Sequence, residues 1–301
     1  MESPSQRTRV KLMLAGLVLA LVGLALLLVV FGAIDGGPWL RRLTSLRADS
    51  PPGATPLPAD AAEDLPDDLP PVDPPQQPPP ADPAEDPEFT RARETMVARQ
   101  LRGRDIADAK VLEVMGRVPR HRFVPKGLRD AAYADHPLPI GHRQTISQPY
   151  IVALMTQLAR PKAGSRALDV GTGSGYQAAV LGEICKEVYS IEILKPLADE
   201  AGTRLKQLGY KNITVRSGDG YRGWPEKAPF DVIIVAAAPD HVPQPLIDQL
   251  APGGRLVIPV GETYQELVVI EKKQDGTARR TPVIPVMFVP MTGEAEKPRE
   301  R

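Results

Sequence analysis

The segment richest in chemical possibility is Leu168-Asp169-Val170-Gly171-Thr172-Gly173-Ser174-Gly175. An apolar strand runs into a glycine-rich turn and then into a helix. Glycine lets the backbone approach a ligand closely, and the first turn of a helix offers unpaired N–H groups. The spacing is G-x-G-x-G, unlike the G-x-G-x-x-G of dinucleotide binders. Asp169 stands just before the turn, where a carboxylate would repel a pyrophosphate but can hold a cationic amino-acid end. Glu192 closes the next strand, 21 residues after Gly171, where a carboxylate can accept from both hydroxyls of a ribose. Asp219, between Gly218 and Gly220, closes the third strand, where it can accept from an adenine amino group. Each acid alone reads as solvated surface charge. At three successive strand ends, in order, they describe a site for an adenosine with a positively charged tail. S-adenosyl-L-methionine fits that description, and NAD fits it less well. The expected cofactor contacts are Asp169, Gly171, Thr172, Gly173, Gly175, Glu192, Asp219 and Gly220.

The elements that must position these residues follow from apolar periodicity. Helices are expected over 91–104, 108–118, 151–158, 176–185, 198–208 and 245–250. Strands are expected over 166–170, 187–191, 213–216, 230–236 and 255–260. The 230–236 strand is nearly all apolar, as for a strand buried on both faces. Segments 265–271 and 282–289 flank a Lys-Gln-Asp-Gly turn and read as a terminal hairpin. Strands alternating with helices imply an α/β fold with a doubly wound, mostly parallel, Rossmann-like sheet, closed by a C-terminal antiparallel hairpin. Upstream, 137–150 is polar and punctuated by prolines. By composition it reads as a connector whose Ser147 or Gln148 caps the following helix.

That connector carries Gln144-Thr145-Ile146-Ser147-Gln148-Pro149, and with it the sequence resembles the protein-L-isoaspartate O-methyltransferases. The resemblance covers residues 90–292. It extends through the Gly-Thr-Gly-Ser-Gly-Tyr-Gln turn, Gly218-Asp219-Gly220, Gly223-Trp224-Pro225, Ala228-Pro229-Phe230-Asp231, Gly253-Gly254-Arg255-Leu256-Val257 and Phe288-Val289-Pro290-Met291. Many methyltransferases share the glycine turn; the Gln-Thr-Ile-Ser segment is far more specific. The resemblance implies Ser147 as the active-site residue, with Gln144, Thr145, Ile146 and Val289 near the acceptor. It also implies methyl transfer from S-adenosyl-L-methionine to the stray carboxylate of an L-isoaspartyl residue. One departure stands out: the family usually has Gly where this chain has Arg143, which adds bulk and charge beside the expected acceptor.

The chemistry agrees with the residues present. A carboxylate acceptor has a reference pKa of about 3.9 and is ionised at neutral pH, so no strong general base is needed. No His–acid pair occurs in the motif segment. The four histidines (His121, His136, His142, His241) lack ligand-like spacing, and no metal is expected. A single cysteine, Cys185, excludes an internal disulfide.

Outside the catalytic domain the 301-residue chain changes character. Residues 1–11 form a basic tail. Residues 12–34 are an uncharged apolar run of 23, long enough to cross a bilayer and longer than the apolar part of a cleaved signal peptide. Residues 35–88 read as a disordered linker, and 51–88 hold fourteen prolines and ten acids but no Lys or Arg. The catalytic domain is expected over 89–292, with a disordered tail at 293–301. From 89 onward 31 basic residues face 24 acidic ones, a mild excess that suits an anionic acceptor and is too diffuse for nucleic acid. The expected partners are isoaspartyl-containing proteins and peptides, and the membrane through 12–34. The catalytic domain is expected to be monomeric. Flanking charges tie on the positive-inside rule; supply of the methyl donor favours a cytoplasmic domain, and export is the alternative.

Overall fold

The computed structural model describes residues 85–296, and the expected membrane segment and nearly all of the acidic linker lie outside them. Among the described residues no helix is long and apolar enough to cross a membrane. The fold begins inside the expected linker. Asp86 accepts from the Glu88 amide and caps α1 (Pro87–Thr95), with proline in the first turn, where its missing N–H costs nothing. The Glu85 carboxylate clasps Arg93 through both oxygens, at 2.7 and 2.8 Å. The chain then continues as a π-helix over Met96–Arg102 and enters α2 (Ala109–Met115), capped by Asp108.

A two-stranded hairpin, β1 (Leu138–Gly141) and β2 (Gln144–Ile146), stands where the sequence reads as a connector. Its two-residue loop, His142-Arg143, has φ of +50° and +58°. This is the twist a tight hairpin requires, and it is normally supplied by Asn-Gly. After the hairpin, α3 (Pro149–Ala159) starts on a proline. Neither expected cap is used: no side chain caps this helix, and Gln148 donates instead to Asp135.

Then strands and helices alternate: β3 (Arg166–Val170), α4 (Tyr176–Gly182), β4 (Glu187–Glu192), α5 (Lys195–Gln207), β5 (Ile213–Ser217), β6 (Phe230–Val235), α6 (Gln244–Asp248) and β7 (Leu250–Val260). The hairpin β8 (Gln265–Lys272) and β9 (Ala278–Val286) follows. The seven-stranded sheet has the order β5-β4-β3-β6-β7-β8-β9, parallel from β5 to β7 and antiparallel from β7 to β9. This is the doubly wound, mostly parallel sheet expected from the sequence. Alternate residues serve opposite faces: Val232 and Ile234 pack with α3 and α4, while Ile233 and Val235 pack with Trp224 and Leu246. The edge strand β9 carries Pro282 and Pro285.

The first strand of the sheet, β3, lies in the middle. Its crossovers lead to β4 on one side and, later, to β6 on the other. A crevice must open above its carboxyl end, where the direction of winding reverses.

Candidate active site

A cavity of about 250 Å³ occupies that crevice. Its walls come from two sources. The sheet supplies Val170 to Ser174 after β3, Ile191 to Leu194 at the end of β4, Gly220 after β5, and Ala236 and Ala237 after β6. The β1–β2 hairpin supplies His142 to Ser147, and Val289 to Thr292 close the rim. Val289 is set there because the Ala238 amide donates to its carbonyl at 2.8 Å.

The glycine turn is shaped by its backbone. Gly171 and Gly173 have φ of +88° and +53°, a region where side chains are strained. The Gly173 amide donates to Glu192 Oε2 at 2.9 Å, and the Leu194 amide donates to Oε1 at 3.1 Å. Each carboxylate oxygen keeps a lone pair for the cavity. At Gly220 a Cβ would meet Val170 Cγ1 at 2.4 Å, so only glycine fits beside β3. A Cβ on Gly173 would touch Ile140 Cδ1 at 3.4 Å, which places the glycine turn against the hairpin.

Three of the expected cofactor residues do not line the cavity. Gly175 has φ +88° and faces Leu205 of α5, where a Cβ would come within 3.2 Å; its service is to packing. Asp219 spends one oxygen on the Tyr221 amide and the other on the Glu294 amide, at 2.9 and 2.8 Å. It thereby pins the segment Gly293–Glu296, within the expected tail, beside Gly220. Asp169 is fully buried beneath the turn. It reaches the wall through a relay: Ser190 donates to its Oδ2 at 2.7 Å, and Thr172 Oγ1 lies 2.6 Å from Ser190 Oγ. Burial, reinforced by the nearby Glu192 charge and opposed by the Ser190 hydrogen bond, pushes the Asp169 carboxyl up to about 7.

Gln144, Thr145, Ile146 and Ser147 line the other side. Ser147 is half-buried, and its hydroxyl has no protein partner among the described residues. Its carbonyl accepts from Arg120 at 2.6 Å. A polar wall, a glycine cradle and a bare hydroxyl thus meet across one cavity.

The family model for protein-L-isoaspartate(D-aspartate) O-methyltransferase matches residues 91–296. The chain belongs to that family. It is 57% identical over 206 residues to a protein-L-isoaspartate O-methyltransferase of Opitutus terrae, covering 68% of this chain and 88% of that one. It is 56% identical over 194 residues to one of Polaromonas, covering 64% and 92%. A solved beta-aspartate methyltransferase from Plasmodium falciparum, in complex with S-adenosyl-L-homocysteine, superposes with a TM-score of 0.58 at 28% identity. That match covers 66% of this chain and 98% of the other.

The cofactor of this family, S-adenosyl-L-methionine, fits the residues present. Asp169 Oδ1 is buried and has no hydrogen-bond partner, an orphan acceptor that a cationic group near the turn would complement. The positive φ of Gly171 and Gly173 keeps the turn clear of side chains, and Glu192 retains acceptor capacity for a pair of hydroxyls. The sequence did not point to Val152, Met155, Tyr176 and Gln177, which complete the lining. Gln177 is held there by a 3.0 Å bond to Thr156. Helical periodicity marks these positions as core, and only the packing of α3 and α4 shows that part of that core is cavity wall.

Proposed function

We propose that the chain methylates the free carboxylate of L-isoaspartyl residues in damaged proteins, with Ser147 orienting the acceptor. The observation that carries this reading is that the Gln144–Ser147 segment and the glycine turn with Glu192 line one cavity. S-adenosyl-L-methionine, when bound, supplies an electrophilic methyl on a cationic sulfur. Glu192 would accept from its ribose, and the turn Gly171–Gly173, backed by the Asp169 relay, would receive its amino-acid end. Gly220, pressed against β3, would form the wall beside the base.

The protein groups then have little chemistry to perform and much positioning. The acceptor is a carboxylate, ionised at neutral pH, so no proton has to be removed from it. The Ser147 hydroxyl donates to one acceptor oxygen and leaves the other aimed at the methyl. Ile146, Val152, Met155 and Val289 keep the surroundings apolar and exclude water, which favours in-line displacement. In the ester so formed the neighbouring backbone nitrogen attacks the ester carbonyl and methanol leaves, carrying the N–H proton; the resulting succinimide hydrolyses in part to normal aspartate, which is the repair. Transfer of labelled methyl to an isoaspartyl peptide, with the matching aspartyl peptide as control, tests the reading. Equal labelling of both would refute it.

We further propose that residues 12–34 anchor the chain in a membrane with the catalytic domain on the cytoplasmic side. The support is the uncharged run of 23 apolar residues and the cytoplasmic supply of the methyl donor. Protease added outside an intact inner membrane should spare the domain; cleavage within 51–88 would place it outside.

A further inference from the structure

Arg120 is the bulkiest fully buried side chain among the described residues, at 0% exposure. It opens a short 3-10 turn (Arg120–Phe123) behind the acceptor hairpin. Its Nε donates to the Ala132 carbonyl at 2.7 Å and its Nη2 to the Ser147 carbonyl at 2.6 Å. The guanidinium carbon lies 4.8 Å from the ring centre of Tyr176, which lines the cavity. The third nitrogen, Nη1, has no acceptor in hydrogen-bonding geometry, and the titratable groups that interact with the guanidinium, Tyr176 and Tyr133, are both neutral phenols.

No carboxylate among the described residues pairs with this cation. The contrast with Arg93 is direct: though less deeply buried, Arg93 is clasped by Glu85 through two oxygens. Burial pulls the Arg120 guanidinium down to about 10, which leaves it charged at neutral pH. A buried charge without a counter-ion is unfavourable by itself. Two carbonyls and a ring face offset only part of that, and an apolar residue would fill the space at lower cost. The arrangement becomes reasonable if an anion arrives nearby. Through the Ser147 carbonyl, the guanidinium sits within roughly 7 Å of the Ser147 hydroxyl by covalent reach alone.

We propose that Arg120 is a positioning residue for methyl transfer: it fixes Ser147 through its carbonyl and places an uncompensated positive charge behind the pocket that receives the acceptor carboxylate. The proposal rests on the reading of Ser147 as the acceptor-orienting residue. The two functions separate by substitution. Arg120→Met keeps an apolar stem and removes the charge. Arg120→Lys keeps the charge and loses the planar pair of donors that reaches Ala132 and Ser147 together.

The test uses the full chain, an isoaspartyl peptide, and the same peptide with a β-linked isoasparagine, whose carboxamide is neutral, as competitive inhibitor. Wild-type protein should prefer the carboxylate. Arg120→Met should shrink that preference by on the order of ten- to fiftyfold, chiefly through KM. Arg120→Lys should keep most of the preference while kcat falls about tenfold. Binding of S-adenosylhomocysteine by calorimetry should be unchanged in both, which certifies the fold. If Arg120→Met does not fold, the Lys variant alone decides: wild-type kcat in it overturns the positioning role. A folded Arg120→Met that keeps the wild-type preference overturns the electrostatic role. Ser147→Ala is measured alongside; wild-type turnover there would sink the reading of Ser147 itself, whatever the Arg120 variants do.

Discussion

The Gly173 amide donates to Glu192 Oε2 at 2.9 Å, so the acid that closes β4 also holds the turn that follows β3. Glu192 therefore serves the protein directly and, in the function proposed above, the ribose as well. Glu192→Ala should weaken S-adenosylhomocysteine binding by at least tenfold, since each hydrogen bond to a charged group contributes roughly 1.5–3 kcal/mol. Glu192→Gln should fall between, because its amide oxygen can serve only one side. Unchanged affinity in a folded Glu192→Ala, by calorimetry, would remove this residue from the site.

Ser147→Ala should reduce kcat by roughly tenfold or more, the same hydrogen-bond range applied to the acceptor carboxylate. Affinity for S-adenosylhomocysteine should stay within about twofold, because Ser147 lies on the hairpin side of the cavity. Steady-state kinetics with an isoaspartyl peptide, paired with calorimetry, reads both.

Arg143 holds a φ of +58°, a conformation that disfavours any residue with a Cβ. Arg143→Gly should raise the stability of the domain by about 0.5–1 kcal/mol, the relief of the strain less the greater freedom of glycine in the unfolded chain. Arg143→Ala should not, since alanine keeps the Cβ. Chemical denaturation of the three proteins separates the cases; equal gains for Ala and Gly would mean that loss of the charge, not the backbone, is responsible.

Burial places the Asp169 carboxyl at about 7, above its unfolded value of about 3.9. Between those two values the folded protein keeps a proton that the unfolded chain has released. Stability of the unliganded protein must therefore fall as pH rises from about 4 to about 7 and level off above, by up to about 4 kcal/mol from this group. Asp169→Asn cannot lose that proton and should show a flatter profile over the same window. Parallel wild-type and Asn profiles in denaturation experiments from pH 4 to 8 would show that the carboxyl is not perturbed.

Much of the fold could be read directly from the sequence because it obeys simple periods. The strand expected at 166–170 is β3 (Arg166–Val170), and the apolar run from 230 is β6 (Phe230–Val235). The hairpin β1–β2 leaves little trace in the sequence, for physical reasons. Its strands are four and three residues long, Pro139 interrupts the first, and the loop pair His-Arg replaces the usual Asn-Gly. Composition hides the start of the domain. Glu85 and Asp86 look like the last acids of a repelling linker, yet one neutralises Arg93 and the other caps α1. At the site, position along the chain located Glu192 and Gly220 on the wall. Asp169, Gly175 and Asp219 fall behind it, because a residue at a strand end can turn toward the ligand or toward the scaffold. Only the hydrogen bonds to Ser190, Tyr221 and Glu294, and the packing on Leu205, decide which.

The edge of the sheet has a meaning for an enzyme that handles worn chains. Damaged proteins present loosened backbone, the material most ready to add itself as an extra strand to any open ladder. One of the sheet's two outermost strands, β9, carries Pro282 and Pro285, which have no N–H to offer, and the cations Arg279 and Arg280. Along that edge an incoming strand meets an interrupted row of partners. On that side the sheet is a poor template for the loosened polypeptides that such an enzyme meets.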